Sequence, residues 1–161
     1  MTPFVPEAFA VPQRLVHAAF ILRPLLITDV VKDYDAVMSS VEHLQGVFGP
    51  GSDWPVGLSF EQDLIDLGWH HKEFQRRRSF AYTMMRPDEQ LCLGCVYLYP
   101  SADPDIDAEI YCWVRASHAA ALDQTLYRVV RNWVVESWPF GRVAYPGRDP
   151  AVPLPGRGEA D

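Results

Sequence analysis

The feature that most constrains the fold is the passage from "DAEIYCWVR", residues 107–115, into a long amphipathic run that ends near Trp138. In the first piece Ala108, Ile110, Cys112 and Val114 fall on one side and Glu109, Tyr111, Trp113 and Arg115 on the other. This is the period of two expected of a strand with two distinct faces. In the second piece Leu122, Leu126, Val129, Val130, Trp133 and Val134 recur at helical spacing and predict a helix over residues 119–138. A strand feeding directly into a long helix needs a sheet to belong to, and "GRVAYP", residues 141–146, supplies a short strand for the chain to return to. Such a strand-to-helix corner is also where opening helix amides attract anions.

Two further strands precede that corner. "SFAYTMMR" (79–86) leads through the turn "PDEQ" into "LCLGCVYLY" (91–99), with Pro87 and Asp88 suited to a tight reversal. Upstream, residues 1–19 hold three prolines and no sustained period, which predicts an extended arm lying on the domain. "FILRPL" (20–25) reads as a first strand. Residues 28–44 read as a helix with Val30, Tyr34, Val37, Met38, Val41 and Leu44 inward, and the Gly/Pro-rich stretch around Trp54 as a loop. Residues 59–78 read as a second helix, with Ser59 and Gln62 spaced as a capping box and Arg76, Arg77 and Arg78 as a solvated cationic end. The order is β-α-α-β-β-β-α-β. It predicts one α+β domain over residues 20–146, with helices packed on a mostly antiparallel sheet. Residues 147–161 are rich in proline and glycine and are expected to be a disordered tail.

Bulk properties narrow the function. A net charge of −7 argues against a nucleic-acid surface or an anionic membrane as partner. No segment approaches the roughly 18 uninterrupted apolar residues of a membrane span. The prolines and Glu7 near the start do not make a signal peptide, so the expected location is cytoplasmic. Three cysteines suit a reducing compartment. Cys92 and Cys95 have C-x-x-C spacing, but on a regular strand residues three apart face opposite ways, which predicts buried thiols rather than a metal or redox pair. His70, His71 and Glu73 offer too few ligands at suitable spacing for zinc and are expected at the surface.

Three stretches carry a family resemblance. "FILRPLLITDVVKDYDAVM", "LGCVYLYP", and "DAEIYCWVRAS" with the helix after it resemble, in that order, the opening strand and helix, the third strand, and the fourth strand with cofactor-binding helix of GNAT-type N-acetyltransferases. The resemblance implies that acetyl-CoA lies where the fourth and fifth strands splay. Its pantetheine would run along backbone at Trp113, Val114 and Arg115, and its pyrophosphate would rest at His118, Ala119 and Ala120. It also implies a small-molecule or peptide amine acceptor entering near His43 and Trp54, Glu109 as the base and Tyr145 as the acid that protonates the leaving thiolate. Partial burial beside Tyr111 and Trp113 would raise a carboxylate's pKa toward a useful value, whereas a structural Glu109 would pair with Arg115 or another basic side chain.

Two departures keep a second reading open. Where the family has a glycine-rich phosphate loop, this chain reads "AAALDQ" (119–124), and an Asp123 near the first helical turn would repel a phosphate. The family's closing hairpin has no counterpart before the proline-rich tail, which predicts a sheet edge covered by the arm or by a second subunit in a homodimer. The alternative is therefore a non-catalytic binding or scaffold protein that kept the fold and lost the cofactor.

Overall fold

The computed structural model describes residues 2–149. One six-stranded sheet runs in chain order: β1 (Leu15–Val16), β2 (Ile21–Pro24), β3 (Phe80–Met85), β4 (Cys92–Pro100), β5 (Ala108–Val114) and β6 (Val143–Ala144). Neighbours are antiparallel except β5 and β6, which are parallel. A parallel pair needs a crossover, and α4 (Ala116–Ser137) is that crossover. The other helices are α1 (Val30–Met38), α2 (Val41–Leu44) and α3 (Phe60–Gln75), with a 3₁₀ turn at Ile27–Asp29. The mixed, mainly antiparallel sheet is the α+β architecture expected from the sequence.

The sheet separates two cores. On one face Leu126, Val130, Trp133 and Val134 of α4 pack on Val96, Ile110 and Val114. Full burial of such side chains is worth about 1.5–3 kcal/mol each. The arm closes the same face: Phe4 stacks between Phe80 and Phe140, and Tyr82 Oη donates to the Pro12 carbonyl at 2.7 Å. Arg77 is not idle at a helix end, because its guanidinium donates to the carbonyls of Pro6 and Phe9 at 2.7 and 2.9 Å and clamps the arm down. On the other face α1 and α3 cover Ile21, Ala81, Cys95, Tyr97, Tyr111 and Trp113.

Four local expectations are corrected. The first helix breaks at Ser39 and Ser40, whose hydroxyls find other partners: Ser39 Oγ donates to the Ala36 carbonyl, and Ser40 Oγ accepts from the Ala116 amide. The helix α4 begins at Ala116, so Asp123 lies about two turns in rather than near the first turn. A bulge at Leu93 of β4, left unpaired between the Met84–Gly94 and Met85–Cys92 pairs, shifts the alternation of β4, so Cys92 and Cys95 both face the α1–α3 layer. Burial pushes the Cys92 thiol up to about 12 and Cys95 well above its ordinary value, so both stay protonated. Finally, Gly147, Arg148 and Asp149 of the expected tail are ordered, and Arg148 is built into the domain; the rest of that tail lies outside the described residues.

Candidate active site

The pairing of β5 with β6 is confined to Ala108 with Val143 and Glu109 with Ala144. Beyond it the two segments part, and the outer edge of β5 borders a cleft. Two cavities of about 420 and 330 Å³ occupy it, sharing Val47, Cys112 and Arg148 as wall. The larger reaches Tyr111, Gln124 and Tyr127; the smaller ends at Ala119 and Ala120 on the first turns of α4.

Strand alternation turns the carbonyls of Cys112 and Val114 toward this cleft, and both are engaged. Arg148 donates to Cys112 at 3.0 Å, and His43 Nε2 donates to Val114 at 3.0 Å. Arg148 also grips Asp123 with two bonds of 2.8 and 2.7 Å. The charge that sequence reasoning set against a phosphate is thus already neutralised. At the helix start the Ala116 amide donates to Ser40 Oγ at 2.9 Å and the His118 amide to the Arg115 carbonyl at 3.0 Å. The opening amides of Ala116 and His118 and the Arg148 guanidinium are therefore all engaged by groups of the protein.

On β5 Glu109 accepts from Ser101 Oγ at 3.0 Å, and the Oη of Tyr111, which lines the larger cavity, lies 3.5 Å from it. Among the described residues no basic side chain pairs with Glu109; Arg115 turns the other way, to Asp35 at 3.2 Å, Ser39 at 3.0 Å and the Cys92 carbonyl at 3.1 Å. Burial, then the Glu109 charge, pushes Tyr111 up to about 12, so it is a proton donor at neutral pH.

No family model matches the chain, and no curated protein matches it. Solved structures do. The ribosomal-protein-S5-alanine acetyltransferase of Vibrio fischeri superposes with a TM-score of 0.66 at 12% identity, over 82% of this chain and 72% of that one. The chain has the GNAT fold. RimL, the ribosomal L7/L12 α-N-protein acetyltransferase, solved with coenzyme A, matches with a TM-score of 0.58 at 18% identity, over 74% of this chain and 66% of that one. MccE, the microcin C7 self-immunity acetyltransferase, solved with acetyl-CoA and AMP, matches at 0.56 and 9% identity, over 73% and 63%. This chain therefore spans just under two thirds of the length of the last two.

Within the GNAT fold the residues singled out from sequence divide. His43, Trp113, Ala119 and Ala120 line the smaller cavity, Trp113 donating Nε1 to Tyr97 Oη at 3.0 Å, whereas Val114 is buried and meets His43 through its carbonyl. His118 is half-buried on the same turn, its Nδ1 2.8 Å from Ser117 Oγ. Only Arg115's backbone stays at the corner; its side chain belongs to the α1 layer. Tyr145 is buried beneath Arg131 and against Tyr127, and it does not line the cleft, whereas Tyr111 and Tyr127 do. Trp54 packs on Phe48 and Trp113 and lines a different cavity from His43.

That third cavity, about 230 Å³ between α1, α3 and β4, was missed from sequence. It is lined by Asp33, Asp63 and Asp66 together with Trp54, Tyr97 and His70. Asp33 and Asp63 are 4% and 3% exposed. His70 is not a surface residue: burial lowers its pKa to about 4, and its Nδ1 is buried without a hydrogen-bond partner. The available signal was spacing. Asp33 falls between Val30 and Val37, and Asp63 one turn before Leu67, on the stripes that face the sheet.

Proposed function

We propose that the protein transfers an acetyl group from acetyl-CoA to an amine in the cytoplasm. The observation that carries this reading is the separation of β5 from β6 just past Glu109, which opens a strand-edge cleft ending on the first turns of α4. The cleft residues suit the cofactor through side chains and strand edge. Cys112 and Val114 offer peptide groups to the amides of the pantetheine arm once Arg148 and His43 release them, and Arg148 faces the diphosphate. Ala119 and Ala120 keep Cβ atoms where glycine would allow closer approach, so a guanidinium takes over from backbone amides there. Bound there, acetyl-CoA supplies the acetyl thioester.

The chain's own residues then handle protons. An alkylammonium near pKa 10 must lose one before it can attack. Glu109, hydrogen-bonded by Ser101 and Tyr111, is the carboxylate on β5 that would accept it. Tyr111, hydrogen-bonded to Glu109 and kept protonated, returns one on the leaving-group side. Both groups sit on the strand that borders the cofactor, which fixes their distance from the reacting centre.

Titration with acetyl-CoA while following melting tests the reading. A ligand at a hundred times its dissociation constant stabilises by about 2.7 kcal/mol, a rise of roughly 5–10 °C for a domain of this size. No rise at millimolar acetyl-CoA would leave a GNAT-fold binding protein without the cofactor.

A further inference from the structure

The acidic cavity between α1 and α3 contradicts the logic of the core around it. Asp33 and Asp63 occupy the buried stripes of two facing helices, where apolar residues of similar volume would usually stabilise the domain more. Their carboxyls lie within hydrogen-bonding reach of each other, which requires one of them to hold a proton. Burial, then the neighbouring Asp63 charge, keeps that proton on Asp33. Burial raises the Asp63 pKa as well; its Oδ2 is buried without a hydrogen-bond partner among the described residues, and Asp66, which accepts from Gln62 Nε2 at 3.0 Å, adds a further carboxylate.

Among the described residues no lysine or arginine lines this cavity. Among the lining residues the one basic side chain is His70, which burial keeps neutral, and its Nδ1 also lacks a partner. The nearby arginines are committed elsewhere: Arg23 to Asp29 and Glu89, Arg115 to Asp35. The remaining walls are aromatic. Trp54, Tyr97 and Tyr99 line the interior, and Trp69, 46% exposed, stands at the mouth. Carboxylates at the base with ring faces around them are complementary to an organic cation, whose charge meets the carboxylates while its carbon surface meets the rings.

We propose that this cavity binds the charged head of a small organic ammonium compound. The volume of about 230 Å³ suits a head group with a short alkyl or benzyl stem rather than a whole nucleotide or peptide. The site stands on its own residues and does not depend on the cofactor cleft, from which Phe48, Tyr97 and Tyr111 separate it. Two sources share this chemistry, the acyl acceptor itself and a separate cationic effector.

The test is calorimetric titration of the full chain at constant ionic strength without acetyl-CoA, using benzylammonium, tetramethylammonium and the neutral isostere benzyl alcohol. Benzylammonium should bind at least about tenfold tighter than benzyl alcohol, the margin of a charge-assisted contact. Asp63→Asn should abolish that preference. Because Asp63 is buried, Trp69→Leu at the exposed mouth provides a second variant, expected to weaken benzylammonium about three- to tenfold without moving the melting temperature. Equal binding of ammonium and alcohol, no binding to a cooperatively melting wild type, or an Asp63→Asn protein that keeps the preference would each overturn the proposal. Adding acetyl-CoA separates the sources: acetylated benzylamine marks an acceptor site, and binding without acetylation marks an effector site, the cation site holding in both cases. A failed acetyl-CoA titration would not bear on this result, nor the reverse.

Discussion

Gly94→Ala tests the geometry on which the cleft depends. Gly94 lies on β4 opposite Val114. A Cβ there would collide with the Trp113 carbonyl oxygen and come within 3.1 Å of its carbon and 3.2 Å of Val114 Cα. The obstacles are backbone atoms, so no rotamer change relieves them. The end of β5 must move, straining the bond from the Arg115 amide to the Leu93 carbonyl at 2.7 Å and that from His43 to Val114. Overpacking of this kind costs about 1–3 kcal/mol, and a rigid carbonyl puts Gly94→Ala near 3 kcal/mol. At about 2–4 °C per kcal/mol for a chain of this size, melting should fall by roughly 6–12 °C. Gly68→Ala is the matched control: it is mid-helix in α3, and its new Cβ would meet only Ile27 Cδ1 at 3.4 Å. It should gain about 0.5–1 kcal/mol from helix propensity. Tryptophan fluorescence during thermal and urea unfolding reads both. A Gly94→Ala protein that melts within about two degrees of wild type would refute the close approach of β5 to β4.

Two other outcomes follow from the same coordinates. Arg148→Ala should weaken acetyl-CoA binding by about tenfold or more, because Asp123 then faces the cleft uncompensated, and adding Asp123→Asn should recover part of the loss in the same titration. His70 titrates near 4 when folded and near 6.5 when unfolded, so between those values the unfolded chain binds more protons and stability falls as pH drops. Relative to His70→Phe, wild type should therefore lose up to about 3 kcal/mol between pH 6.5 and 4 in urea titrations, and parallel pH profiles would show that His70 is not held neutral by burial.

Regular periodicity was readable in advance. The alternation of β5 and the apolar spacing of α4 placed the strand-to-helix corner within three residues of its position. What escaped were side chains that break their local pattern. Asp33 and Asp63 sit on the apolar stripes of their helices, but a count of apolar residues alone passes over charged ones, so their burial escaped. The bulge at Leu93 brought Cys92 and Cys95, expected on opposite faces, onto one, since an inserted residue exchanges the faces of the residues beyond it. Arg148 lay in a stretch whose composition resembles a tail, yet a bidentate partner in Asp123 and a carbonyl on β5 order it. Such contacts are non-local, and composition does not encode them.

The cleft and the acidic cavity meet at one segment, the loop between α2 and α3. Phe48 of that loop contacts Tyr97 at 5.3 Å and Tyr111 at 5.5 Å between ring centres, and Trp54 contacts Phe48 at 5.1 Å. Val47 lines the cleft, whereas Phe48 and Trp54 line the cavity. Tyr111 lines the cleft, and Tyr99, 6.0 Å from Tyr111 and paired with Glu109 across the sheet, lines the cavity. Phe48 is thus the ring of that loop that touches both Tyr97 on the cavity wall and Tyr111 on the cleft wall. Gly46 and Gly49, both at positive φ, flank the turn that carries Phe48, so the backbone there holds conformations that few other residues adopt at low cost. Whether the cation in the cavity is the acceptor or an effector can therefore be tested at one ring. Phe48→Ala should leave benzylammonium affinity within about threefold, since the carboxylates remain, and should raise its acetylation rate only if the cation is the acceptor.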